Sequence, residues 1–194
     1  MDFNAHIERI LWTEEQISAR VSELGSQITQ DFSNSGSSSS SSSAAPMVVG
    51  VATGAFLFLA DLVRKIRLPV SVDFVRIESY GSGTVSSGKP KITCDLKIDV
   101  RDRNVIVVED IVDTGNTLLF LMDYLKSKGA SSMSVCTLLN KSAKRKVNVE
   151  VFGGGKFYCG FECPDNFVVG YGLDFAEQYR NLPYVGVLKP ELYQ

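Results

Sequence analysis

The chain has 194 residues, 44% of them hydrophobic, and its 20 basic against 22 acidic side chains leave a formal charge of −2. That length suits one domain with a substantial core and is too short for two comfortable ones. The near-neutral charge gives no reason to expect nucleic acid or an anionic membrane as a partner, and the longest apolar stretch is interrupted and ends in charges, so no membrane span is expected.

An acid follows Met1 and no apolar core comes after it, so no secretory leader is expected and a cytoplasmic protein is the default reading. Residues 6–12 read as an edge strand or arm. Thr13-Glu14-Glu15-Gln16 has the form of a capping box, with Thr13 as N-cap and Gln16 at N3, and Ile17, Val21, Leu24 and Ile28 continue as one apolar helical stripe. His6 falls outside that helix, far from any acid cluster, and reads as structural or solvent-facing. Residues 33–46 centre on a serine run broken by Gly36; they carry too little apolar surface to order themselves and read as a flexible insertion within a single domain spanning 1–194.

Residues 47–51 predict a short buried strand, Ala52-Thr53-Gly54 a turn, and Phe56, Leu57, Leu59, Ala60, Val63 and Ile66 a helix. Pro69 opens a further strand in which Val70, Val72 and Phe74 alternate and residues 75–77 continue. Strand–helix–strand at this spacing implies a right-handed crossover in a mainly parallel sheet. Residues 79–89 are polar and rich in glycine and serine, and Ile92, Cys94, Leu96 and Ile98 then alternate with polar residues as a half-exposed strand. Together, residues 79–98 read as a mobile β-arm, although a plain long hairpin fits the same pattern.

Residues 105–117, VIVVEDIVDTGNT, are the most informative stretch. Four apolar residues suggest a strand buried on both faces, Glu109 and Asp110 follow it, and Asp113-Thr114-Gly115-Asn116-Thr117 leads into a helix carrying Leu118, Leu121, Met122 and Leu125. A glycine-containing loop at a helix N-terminus offers free backbone N–H groups to a phosphate. Three carboxylates beside it would repel a bare phosphate, so they suit Mg²⁺, sugar hydroxyls or a developing positive charge. Ordinary α/β scaffolding also produces a strand–loop–helix unit.

Residues 134–139 predict another buried strand. Lys144-Arg145-Lys146 reads as a solvated loop. Residues 147–152 and 156–160 flank Gly153-Gly154-Gly155, which reads as a hairpin turn; it is no Walker A loop, because Phe157 stands where Ser or Thr should hold Mg²⁺. Cys94, Cys136, Cys159 and Cys163 lack the spacing of a zinc site and read as small buried thiols. Residues 167–174 form an apolar segment ending at Asp174, with Arg180 beyond it.

The 105–117 string resembles the 5-phosphoribosyl-1-pyrophosphate (PRPP) motif of type I phosphoribosyltransferases: an apolar strand, two acids, two apolar residues, then Asp-Thr-Gly-x-Thr. From residue 47 to 193 the chain resembles hypoxanthine-guanine phosphoribosyltransferases of the bacterial-like branch, through SYGSGT (79–84), VEDIVDTGNT (108–117), TLLNK (137–141) and the block from Pro164 to Tyr193, in the family's order. The resemblance implies an α/β fold whose mainly parallel central sheet is flanked by helices, with a small hood over 160–194 and the mobile arm.

It also implies a site. Glu109 and Asp110 would hold the ribose hydroxyls directly or through Mg²⁺, and Asp174 a second Mg²⁺. Asp113, Thr114, Gly115, Asn116 and Thr117 would cradle the 5′-phosphate, with Asp113 also handling the purine N7 proton. Lys141 would donate to the 6-oxygen of the base, Phe167 would stack on it, and the Val168 backbone would meet its edge. Arg180 and the Thr53-Gly54 backbone would bind pyrophosphate, with Ser79 and Tyr80 closing from the arm. The family commonly has a basic residue where Thr53 stands, in a strained, often cis, loop near the subunit interface; its absence predicts retained activity with weaker PRPP or pyrophosphate binding. The implied partners are PRPP and a 6-oxopurine, in a homodimer or homotetramer. Xanthine or another base as acceptor, and a non-catalytic nucleotide-binding regulator on the same fold, remain alternatives.

Overall fold

The computed structural model describes residues 3–34, 45–79, 90–147 and 149–193. Its strands and helices run β1 (Ile7–Trp12), α1 (Glu14–Asn34), β2 (Met47–Ala52), α2 (Phe56–Val63), β3 (Ser71–Ser79), β4 (Pro90–Cys94), β5 (Asn104–Val112), α3 (Asn116–Ser127), β6 (Ser132–Asn140), β7 (Phe157–Glu162), β8 (Val168–Val169) and β9 (Val185–Leu188). A six-stranded sheet has the order β4-β3-β2-β5-β6-β7, parallel except for the antiparallel β4, and a three-stranded sheet has the order β1-β9-β8. The expected mainly parallel α/β fold is what forms.

Strands that are apolar on both faces need cover on both. Val48, Ile106, Val108, Cys136 and Leu138 face the stripe Ile17, Val21, Leu24 and Ile28 of α1 and the apolar side of α2. Met47, Val49, Val105, Val107 and Val135 face Leu118, Leu121 and Leu125 of α3. The predicted capping box opens α1: Gln16 Oε1 accepts from the Thr13 N–H at 2.9 Å, and Thr13 Oγ1 accepts from the Gln16 N–H at 3.4 Å. Arg20 of α1 donates to the carbonyls of Cys159 and Gly160 on β7, at 2.6 and 2.8 Å. Trp12 stacks on Phe161 with centroids 4.8 Å apart, joining the small sheet to the large one. No described helix is long and apolar enough to cross a membrane.

The serine run at 35–43 and residues 80–89 of the arm lie outside the described residues. Other expectations need correction. The strand expected through Ile98 stops at Cys94, because Asp73 Oδ2 takes the N–H groups of Lys97 and Ile98 at 2.7 and 2.9 Å and turns the backbone out of the ladder. Residues 153–155 do not close a hairpin: β7 pairs parallel with β6, and Phe152 only bridges to Met133. Val72 and Phe74, which alternate along β3, lie on its exposed face at 39% and 45% exposure, and the opposite face holds the buried Val75. Cys136 and Cys163 are buried as expected, but Cys94 is exposed and Cys159 half-buried, and all four are free.

Thr13→Ala removes one side of the capping box and leaves the Gln16 amide without its partner. It should lower stability by about 1 kcal/mol in denaturant titrations, without altering ligand affinity.

Candidate active site

β5 is the strand that places the acids. Its pairing with β6 continues past Val108 through Glu109↔Thr137 and Ile111↔Leu139 to Val112↔Asn140, so Glu109 and Asp110 lie within the ladder rather than after it, as the sequence suggested. Glu109 is buried, and burial reinforced by Asp110 pushes its carboxyl well above the usual range. Burial likewise pushes Asp110 up to about 6, against backbone N–H groups and Arg180, which favour its charged form, and with Asp174 adding to the rise.

The chain leaves β5 into the loop at Asp113. Gly115 has φ +87° and is the N-cap of α3. A Cβ there would be strained and would press on Val147 and Arg145, which approach to 2.9 and 3.1 Å of its position. Thr114 Oγ1 accepts from the Asn116 N–H at 3.4 Å, and the Lys146 N–H donates to the Thr114 carbonyl at 3.0 Å. A cavity of about 90 Å³, phosphate-sized, is lined by Glu109, Asp113, Thr114, Gly115 and Thr117 among others. Two larger clefts, 460 and 370 Å³, lie beside residues 153–155 and between α1 and α2, and contain none of these residues. Asp113 Oδ1 is buried without a hydrogen-bond partner, an unusual state for a carboxylate oxygen.

Lys141 follows directly. Its N–H donates to the Val112 carbonyl at 2.9 Å, which puts it beside the start of the loop, and its Nζ, only 7% exposed with its residue, donates to the Asn166 carbonyl at 2.7 Å. Next to Asn166, Phe167 stacks on Tyr193 at 4.7 Å and meets Phe175 edge-on at 5.5 Å. Val168 is buried in β8, opposite Val187.

On the other flank, Ala52-Thr53-Gly54 leaves β2 through a cis Ala52–Thr53 bond. A Cβ on Gly54 would collide with the Asp110 carboxylate, and a Cβ on Gly172 with the Gly54 carbonyl. Arg180 donates to the Gly172 carbonyl at 2.8 Å and pairs with Asp174 at 2.9 Å and Glu177 at 3.0 Å, while its Nε is buried without a partner. Asp174 also accepts from the Glu177 N–H at 2.9 Å.

The expected residues therefore gather around the C-terminal ends of β2, β5 and β6. Ser79 ends β3, and Tyr80 lies outside the described residues. Among the described residues no three His, Cys, Asp or Glu converge as a metal cage. Mg²⁺ beside phosphates needs none, since it takes one or two carboxylates and fills its shell with water and substrate oxygens; the buried Glu109–Asp110 pair fits that demand.

Residues 14–176 match the phosphoribosyl transferase domain family. The hypoxanthine-guanine phosphoribosyltransferase of Bacillus subtilis is 43% identical over 188 residues, covering 97% of both chains. The chain belongs to the hypoxanthine-guanine phosphoribosyltransferase family. A crystal structure of a hypoxanthine phosphoribosyltransferase from Staphylococcus aureus superposes with a TM-score of 0.86 at 38% identity, covering 100% of this chain and 98% of that one. The bifunctional protein TilS/HprT of Listeria monocytogenes is 44% identical over 187 residues, and there this family member spans 27% of the relative's length.

Two features of this family member escaped the sequence reading. The run at 144–146 is not simply solvated: Arg145 donates to the Asn140 side chain, packs on Gly115 and is half-buried, and Lys144 pairs with Asp165 at 2.9 Å. Tyr193 carries no signal beyond being aromatic, yet it is the ring on Phe167.

An acid whose folded pKa stands above its unfolded value of 3.8 destabilises the fold as pH rises; for Asp110 the cost is absent below about pH 4 and complete above about pH 6. Asp110→Asn should match the parent near pH 4 and be stabler by about 2 kcal/mol at about pH 7 without ligands, while losing PRPP binding. A stability difference that does not change with pH would refute the charge as its cause.

Proposed function

We propose that this chain transfers the 5-phosphoribosyl group of PRPP to N9 of hypoxanthine or guanine, giving IMP or GMP and pyrophosphate for purine salvage. The observation that carries the reading is the buried, unpartnered Asp113 Oδ1 at the mouth of a phosphate-sized loop, with Lys141 joined to the adjacent residue. An unsatisfied carboxylate oxygen is suited to a ligand N–H, and here it takes the purine N7 proton as N9 attacks C1′.

The backbone amides and hydroxyls of residues 113–117 hold the 5′-phosphate at the head of α3. Glu109 and Asp110 take the ribose hydroxyls, and with Asp174 they would hold Mg²⁺. When bound, Mg²⁺ would neutralise charge developing on the leaving pyrophosphate. Arg180 and the Thr53-Gly54 backbone receive that pyrophosphate. Lys141 retains donors beyond the one given to Asn166 and offers them to the 6-oxygen; adenine, with an amino group there, would leave a buried donor unpaired. Phe167 supplies the stacking face and Val168 the backbone at the base edge.

Displacement at C1′ through an oxocarbenium-like sugar asks for positioning and charge placement rather than a nucleophile. The thiols agree with this: burial raises Cys159 and Cys163 to about 11, Cys163 lying near Asp113 as well as Lys141, and Cys136 is raised further. We place the protein in the cytoplasm as a homodimer or homotetramer, acting on small molecules.

Incubation with PRPP, Mg²⁺ and each of radiolabelled hypoxanthine, guanine, xanthine, adenine and uracil should yield nucleotide with the first two. No product with any base would sink the enzymatic reading. Asp113→Asn should lower kcat by about 10²–10⁴-fold, the usual worth of a proton-transfer group, with far less effect on PRPP affinity. Equal losses in both would make Asp113 mainly a binding residue.

A further inference from the structure

We propose that Arg76 supplies, from β3, the cation that the Ala52-Thr53-Gly54 loop lacks, and that it binds the pyrophosphate moiety of PRPP; this rests on the phosphoribosyltransferase reading above. β2 and β3 run parallel, and Ala52↔Arg76 is the last pair of their ladder. Arg76 therefore leaves the sheet at the level where β2 turns into the loop. Its Nη2 donates to Thr53 Oγ1 at 3.4 Å, near the long limit for a hydrogen bond, and the residue is otherwise exposed. One weak bond leaves most of the guanidinium's five donors available, in the planar fork that suits phosphate oxygens.

The surroundings call for such a group. Gly54 lies against Asp110, beneath Gly172, so anything bound to the loop backbone also faces the acids of the site. Arg180, the other cation assigned to the pyrophosphate, engages its Nη1 and Nη2 with the Gly172 carbonyl, Asp174 and Glu177, so a second cation would add to it rather than replace it. Among the described residues Arg76 makes no ion pair, so its charge is not committed elsewhere. The sequence alone led to an expectation of weakened pyrophosphate binding because it shows only the residue at 53. The register shows a positive charge arriving from the neighbouring strand.

The test compares the full chain with Arg76→Gln, Arg76→Lys and the double variant Arg76→Gln/Thr53→Lys. KM values for PRPP, for pyrophosphate in the reverse reaction and for the base are measured, together with pyrophosphate binding by calorimetry and thermal unfolding. Arg76→Gln should raise the PRPP and pyrophosphate constants about tenfold or more, the worth of one charge-assisted hydrogen bond, leaving the base KM and the unfolding midpoint in place. Arg76→Lys should retain most of the affinity, and Thr53→Lys should restore it in the Arg76→Gln background. Unchanged pyrophosphate affinity in Arg76→Gln, or an equal rise in the base KM, would overturn the proposal. Loss of transferase activity in the parent chain itself would overturn the functional reading instead, and calorimetry with pyrophosphate would still decide on Arg76.

Discussion

Three pieces of chain from distant parts of the sequence meet with no space for a methyl group between them. Gly172 presses on the carbonyl of Gly54, and Gly54 presses on the carboxylate of Asp110. Glycine is required at both positions because any side chain would push the layers apart. The contact fixes how far the 170–182 turns stand from the acids of β5, and so where Arg180 and Asp174 lie relative to the loop after β2. Arg180 then secures the outer layer by donating to the Gly172 carbonyl and pairing with Asp174. Phe167 and Val168, assigned to the base in the proposal above, depend on the same arrangement, since they enter the tail sheet just before this turn.

The site so assembled is electrostatically unfinished. Glu109 and Asp110 are held at the end of a buried strand where burial raises the pKa of both carboxyls, and Asp113 keeps a buried oxygen without a donor. The sequence tolerates this because β5 is supported elsewhere: four apolar residues buried from both sides and a ladder with β6 that runs to Val112. Unsatisfied polar groups concentrated at one edge of an otherwise well-packed sheet mark where the protein expects ligand groups to supply the missing partners.

How much could be read without coordinates depended on the range of the interactions involved. The capping box at Thr13, the stripe of α1, the continuous apolar strands and the central motif are local patterns, and each lies where periodicity put it. Phe167, Lys141 and Arg180 entered through resemblance, since none has a local signature. The clearest failures involve partners on other elements of the fold. β4 stops early because Asp73, on another strand, captures its continuing N–H groups. Residues 157–162 pair with β6 rather than folding back. Arg145 looked like one of three solvated bases until Gly115 and Asn140 came to lie against it. Arg76 had no reason to be singled out until the parallel register brought it beside Thr53.

Arg20 has a consequence well away from the chemistry. By taking two successive carbonyls of β7, it occupies part of the backbone at the outermost strand of the large sheet. At the opposite border, β4 carries among its described residues Pro90, which has no N–H to offer, and the strand stops at Cys94. Each feature removes backbone groups that a further strand would need for pairing, so the described part of each border is a poorer template for another chain.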